Sequence, residues 1–130
     1  MGGSPRVMLL EHAGPAAEGP LHAADREPPD PGPGQLRLRV AACGVCRTDL
    51  QLCEGDLAMR KRPIVPGHQI VGRVEAVGAG VTDWRVGDRA GVAWLAGSDG
   101  TCDKCRSGRE NLCAHAAFTG WDVDGGYATH

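Results

Sequence analysis

Residues 36–40 read Leu-Arg-Leu-Arg-Val, an alternation with the two-residue period of a strand that places the leucines and Val40 on one face. A half-buried strand is expected there. The run before it, Pro28-Pro29-Asp30-Pro31-Gly32-Pro33-Gly34, has too few free N–H groups to continue a ladder and predicts an extended, turning connection. An earlier strand is expected over Val7 to Glu11. From Gly67 to Val77 the chain is β-branched and glycine-punctuated, which predicts a long bent strand carrying Ile70, Val71, Val74 and Val77, turned at Gly78-Ala79-Gly80. Val86-Gly87-Asp88-Arg89 signals another turn and Ala90 to Leu95 another strand, while Gly125 to His130 reads as the start of one more. Helical pattern is confined to Thr48–Leu52, with Asp49 in its first turn. These elements describe a mainly β chain with short helices.

Length narrows this to one domain, because 130 residues bury one modest core. Aromatic side chains make up 4% of the chain, so the core must be built from Val, Leu, Ile and Ala. A net charge of −2 gives no electrostatic case for nucleic acid or an anionic membrane, and Arg60-Lys61-Arg62 is read as a solvated loop. The apolar run Val7–Leu10 is too short for a secretory core or a membrane span, and Met1-Gly2-Gly3 lacks the Ser or Thr at position 6 that acylation requires, the residue being Arg6. A cytoplasmic protein is the expectation. Six cysteines could form a disulfide framework, but two Cys-x2-Cys pairs without an export signal point instead to reduced thiolates on metal.

Candidate chemistry concentrates in two stretches. In Asp99-x2-Cys102-x2-Cys105-x7-Cys113 a compact loop can close four anionic ligands around one tetrahedral Zn²⁺. Asp99 has a plainer alternative as a turn residue, with a water or nothing in the fourth place. About fifty residues earlier, Cys43-Gly-Val-Cys46-Arg-Thr-Asp49 is followed by Pro66-Gly67-His68-Gln69, offering a Cys and a His to a second metal with an open position. Cys43 is expected to pack as a small hydrophobe and Cys53 to lie closer to the surface. Gly78-Ala79-Gly80-Val81-Thr82-Asp83 begins like a dinucleotide fingerprint, yet Asp83 stands where the third Gly belongs and no helix pattern follows. His12, His22, His115 and His130 have no partner at ligand spacing and read as surface or loop residues.

Together these stretches resemble the N-terminal catalytic domain of the zinc-dependent medium-chain alcohol dehydrogenases. The resemblance covers nearly the whole chain, and Glu54-Gly-Asp-Leu57 and Phe118–Tyr127 lean toward the cinnamyl-alcohol-dehydrogenase-like branch. It implies a GroES-like partial β-barrel with a structural zinc lobe, spanning 1–130 and incomplete at its C-terminal end, with the nucleotide-binding domain absent. It implies that Cys46 and His68 bind the catalytic zinc, their third protein partner lying beyond residue 130, and that Thr48 takes the proton of the bound alcohol. It implies further that Arg47 meets the pyrophosphate of NAD or NADP, and that Asp49 orients His68 or a nearby Arg. Asp99 replaces the family's Cys in the structural set Asp99, Cys102, Cys105, Cys113. Gln69 replaces a Glu whose charge influences the metal, and Gln51 replaces a His that relays the proton. The implied substrates are small alcohols, aldehydes or ketones, and relatives are often homo-oligomers. The isolated chain is expected to be inactive. A non-enzymatic zinc-binding module or gene remnant is the alternative, and a co-chaperonin-type subunit rests on fold analogy alone.

Overall fold

The computed structural model describes residues 3–130, so the Met1-Gly2 start of the acylation reading lies outside the described residues. Strands β1 (Arg6–Leu10) and β2 (Leu21–Asp25) form an antiparallel pair. A three-stranded antiparallel sheet follows in the order β3 (Leu36–Cys43), β4 (Ile70–Val77), β5 (Arg89–Val92). A short ribbon joins β6 (Leu95–Gly97) to β7 (Ala117–Phe118). Helices are α1 (Arg47–Glu54) and the single turn α2 (Asp103–Arg106). The molecule is mainly β with short helices, and the described sheets do not close into a barrel.

The alternation of residues 36–40 forms β3 as expected. Its register against β4 slips between Arg37 and Leu38 and again between Val40 and Ala42, which bends the pair. Leu36, Leu38 and Val40 face an open groove that Ile70, Val92 and Leu95 also line. Other elements differ from the sequence reading. β2 was not expected, since Leu21-His-Ala-Ala-Asp carries little apolar pattern and is held by pairing with β1 across its whole length. The strand expected over Ala90 to Leu95 is broken at Ala93-Trp94, where the chain leaves one sheet for the next ribbon. Residues 125–129 do pair, but by threading between neighbours. Met8 N donates to Tyr127 O at 2.8 Å, Thr129 N to Arg6 O at 2.9 Å, Val40 N to Thr129 O at 2.9 Å and Tyr127 N to Pro66 O at 3.0 Å.

Among the described residues, two clusters account for much of the core. Leu10, Leu52, Cys53 and Ile64 pack with Leu21, Met59 and Trp121, and Val7, Leu9 and Val65 pack with Ala24, Tyr127 and Ala128. Each buried aliphatic side chain contributes roughly 1.5–3 kcal/mol. Cys53 is therefore a core residue and not a near-surface one: α1 turns it inward beside Leu52. The basic run is likewise more engaged than a solvated loop, because Lys61 Nζ lies 2.6 Å from Asp124 Oδ1 and Arg60 sits 3.5 Å above the Trp121 ring.

Candidate metal centre and the surrounding site

The ribbon β6–β7 forms the base of an excursion that carries the four-donor run. Gly100 and Gly108, at φ of 69° and 73°, take left-handed turns at the two ends of the short helical segment. Asp99 Oδ1 accepts from the N–H groups of Thr101 and Cys102, both at 2.9 Å, which folds the chain back at the first donor. Cys102 then starts α2, Cys105 sits within it, and a 3₁₀ turn over Glu110–Leu112 delivers Cys113. The potential ligand atoms of Asp99, Cys102, Cys105 and Cys113 all lie within 4.8 Å of one another. Convergence of this order is what a tetrahedral ion requires, and three sulfurs with one oxygen suit a borderline-soft cation such as zinc.

The N–H groups of Cys102 and Thr101, together with His115, hold the Asp99 carboxyl well below the usual carboxylate range. The N–H of Cys105 leads the contacts that lower the Cys102 thiol. Burial pushes the Cys105 thiol up to about 11.

The second region is assembled from separate elements. Cys46 is the N-cap of α1, extended at φ −120°, so Thr48 is the second residue of the helix. Asp49, at the third helical position, accepts from Cys46 N through Oδ2 at 2.9 Å. Its other oxygen accepts from Gly67 N at 3.1 Å and lies 3.4 Å from His68 Nδ1. One buried carboxylate thus links the helix start to the Pro66-Gly67-His68 segment. Cys46 Sγ is 3.8 Å from Thr48 Oγ1. Gly67 has φ +98°, and a Cβ there would fall 2.7 Å from the Tyr127 ring and 2.8 Å from Cys43 Sγ, so only glycine allows this approach. Arg47 and Gln69 are exposed, with Gln69 O accepting from Gly44 N at 2.8 Å. Cys43 is half-buried, and desolvation raises its thiol.

Several neighbours escaped the sequence reading. Trp94 meets His68 edge-on at 4.8 Å between centroids and stacks on Phe118 and Trp121 at 4.9 and 5.8 Å, forming an aromatic wall from three separate stretches. Among the described residues the buried Tyr127 hydroxyl has no hydrogen-bond partner, and burial and the Asp49 charge push it above its ordinary value. His115 is in a loop as expected, but it has a partner: its Nδ1 lies 2.9 Å from Asp99 Oδ2. The Cys113-x-His115 spacing was the available signal. His130 is also not a free surface residue, its enclosed ring lying 3.5 Å from Glu75.

The fold and the two donor sets together define a GroES-like β domain of the dehydrogenase type. Residues 32–130 match the family described as alcohol dehydrogenase GroES-like domain, and the chain belongs to that family. It is 46% identical over 112 residues to an alcohol dehydrogenase of Geobacillus stearothermophilus, a match covering 85% of this chain and 33% of that protein. The solved thermostable alcohol dehydrogenase of Pyrobaculum aerophilum, with cobalt and zinc bound, superposes with a TM-score of 0.86 at 30% identity, over 96% of this chain and 37% of that one. A structure described as short chain alcohol dehydrogenase (rspB) from E. coli CFT073 complexed with NADH gives 0.84 at 34% identity, over 98% and 35%. The chain therefore spans about a third of the length of the curated relatives it matches. Among the described residues no helix is long and apolar enough to cross a membrane.

Proposed function

We propose that this chain is the N-terminal catalytic domain of a zinc-dependent NAD(P) alcohol dehydrogenase that interconverts small alcohols with aldehydes or ketones. The observation that carries the reading is the Asp49 carboxylate reaching Cys46 N, Gly67 N and His68 Nδ1 at once, beside Thr48. In this reading Cys46 Sγ and His68 hold the catalytic zinc, and Asp49 against Nδ1 fixes the ring so that Nε2 is the nitrogen left for the metal. Asp99, Cys102, Cys105 and Cys113 hold the structural zinc. When bound, zinc lowers the pKa of a coordinated hydroxyl, and the nicotinamide accepts the hydride.

The chain's own side chains handle position and proton. Thr48 Oγ1 accepts the alcohol's proton, since a hydroxyl can accept and donate at once. Gln51, one turn further along α1, cannot titrate, so in this reading the proton leaves Thr48 through water or by another route. The Trp94, Phe118 and Trp121 wall excludes water on the His68 side and offers an apolar surface to the substrate carbon. Arg47, exposed at the first turn of α1, would meet the cofactor's pyrophosphate, and exposed Gln69 leaves the His68 segment without the charge a Glu would bring. The dinucleotide-binding domain comes from elsewhere in a longer polypeptide. In this reading the isolated chain, whose residues 78–83 form a turn with no helix directly following, is expected neither to bind NAD(P)H nor to turn over alcohol.

The test uses the complete polypeptide. Cys46→Ser and His68→Ala are expected to abolish alcohol oxidation with loss of one zinc. Thr48→Ala is expected to keep both metals and lose roughly 10²-fold in kcat, with Thr48→Ser active. Full activity of Thr48→Ala with metal retained would refute the assigned proton role.

A further inference from the structure

We infer that His115 is a positioning residue for the lobe's metal, holding Asp99 as a one-oxygen ligand; the inference rests on reading the lobe as a zinc site. Two contacts lead to it. The backbone N–H of His115 points at Cys113 Sγ at 3.4 Å, and its ring reaches back across the loop to place Nδ1 2.9 Å from Asp99 Oδ2. One residue thereby ties the last donor in the chain to the first.

The need for such a tie follows from the ligand type. A thiolate sulfur sits one bond from Cβ and has a single rotor to fix, whereas a carboxylate adds a second, broad torsion that leaves either oxygen free to turn toward the ion. Here Oδ1 is taken by Thr101 N and Cys102 N, and Oδ2 by His115. A carboxylate offers about four acceptor positions, so three are occupied and one remains, the number a one-oxygen ligand needs. Nδ1 must carry the proton in this arrangement. The imidazole is 79% exposed, so its bond to Asp99 adds little to folding by itself. Its effect is expected in metal affinity, where outer hydrogen-bond partners of ligands are worth about 10- to 100-fold, with exposure placing this one near the lower end.

The experiment is zinc competition with a chromogenic chelator on the purified protein. Cys113→Ser first identifies the lobe's zinc by its loss. His115→Ala, which keeps the backbone bond to Cys113, is expected to weaken that zinc about 10-fold. His115→Asn, whose amide donor lies near the place of Nδ1, is expected to recover most of the loss. In an Asp99→Cys background the change His115→Ala is expected to have no effect, because a thiolate needs no such partner. Unchanged affinity in His115→Ala overturns the inference while Cys113→Ser leaves the zinc site standing. Equal weakening in the Asp99→Cys background also overturns it, since the ring would then act through something other than the carboxylate. Zinc retained in Cys113→Ser removes the lobe reading itself, and the role of His115 with it.

Discussion

The two donor regions are built in opposite ways. The lobe collects Asp99, Cys102, Cys105 and Cys113 from one continuous stretch, shaped by local bonds such as Thr101 N and Cys102 N to Asp99, and only Cys105 and Cys113 are buried. The Cys46–His68 region draws on the start of α1, the Pro66–His68 segment and the threaded residues 125–129, with Asp49 and His68 buried between them. A local site depends on an ion to hold its shape. A site assembled from distant segments depends on the core.

The largest expected effect separates them by metal removal. Zinc binding to comparable small sites is worth about 10–16 kcal/mol. Purified chain is expected to retain about one zinc through mild chelation, and a strong chelator should then speed amide exchange across residues 99–113 while leaving α1 and β4 protected. Equal loss of protection in both regions would break the comparison. The reciprocal experiment is Asp49→Ala. It strands the N–H groups of Cys46 and Gly67 and removes the neighbour of His68, so a loss of about 3 kcal/mol is expected in denaturant unfolding. Zinc content of the lobe should not change, and a parallel fall in it would show that the regions are coupled.

The smallest effect concerns the tie between residues 61–65 and the segment after the lobe. Asp124 accepts from Lys61, Arg26 and Val65 N at 2.6, 2.8 and 3.0 Å. Burial works to raise its carboxyl, but Lys61, the Val65 N–H and Arg26 outweigh it and hold the group below its ordinary value. A depressed folded value means that stability is fully present above the unfolded pKa near 3.9 and is lost as pH falls through the folded one. Asp124→Asn should cost about 1 kcal/mol at pH 7, partial exposure screening the ion pairs, and the difference from the parent should shrink as pH drops below about 4. A difference that is constant across that window would assign the effect to packing.

What could be read from the chain follows the same division. The alternation at 36–40 and the glycine-punctuated run to Val77 became β3 and β4, because local period and burial agree there. The spacing of the four lobe donors was legible for the same reason, since fifteen consecutive residues contain the whole cluster. α2 was missed because four residues in a loop have no periodicity to display. Cys53 was placed near the surface because a lone cysteine carries no directional signal, and the helix phase that turns it inward is set by packing on Leu10 and Ile64. The Trp94 wall and the Asp49–Gly67 bond join residues far apart in sequence, and no local pattern encodes them. β2 had only its pairing with β1 to define it.

The pairing of Leu95 with Phe118 also bears on how this fold can change over time. Thr119 N donates to Trp94 O at 2.8 Å and Thr119 Oγ1 to Ala93 O at 2.7 Å, so both feet of the excursion are fastened before the donor run begins. Topologically the whole lobe is the tip of a hairpin. Exchanging it for a tight turn alters the length of one loop, and doubling or halving a loop shifts closure entropy by only about 0.6 kcal/mol. The metal-bearing stretch is thus a detachable cassette: descendants of this domain can shed, shorten or re-ligand it while the ribbon keeps Trp94 against His68.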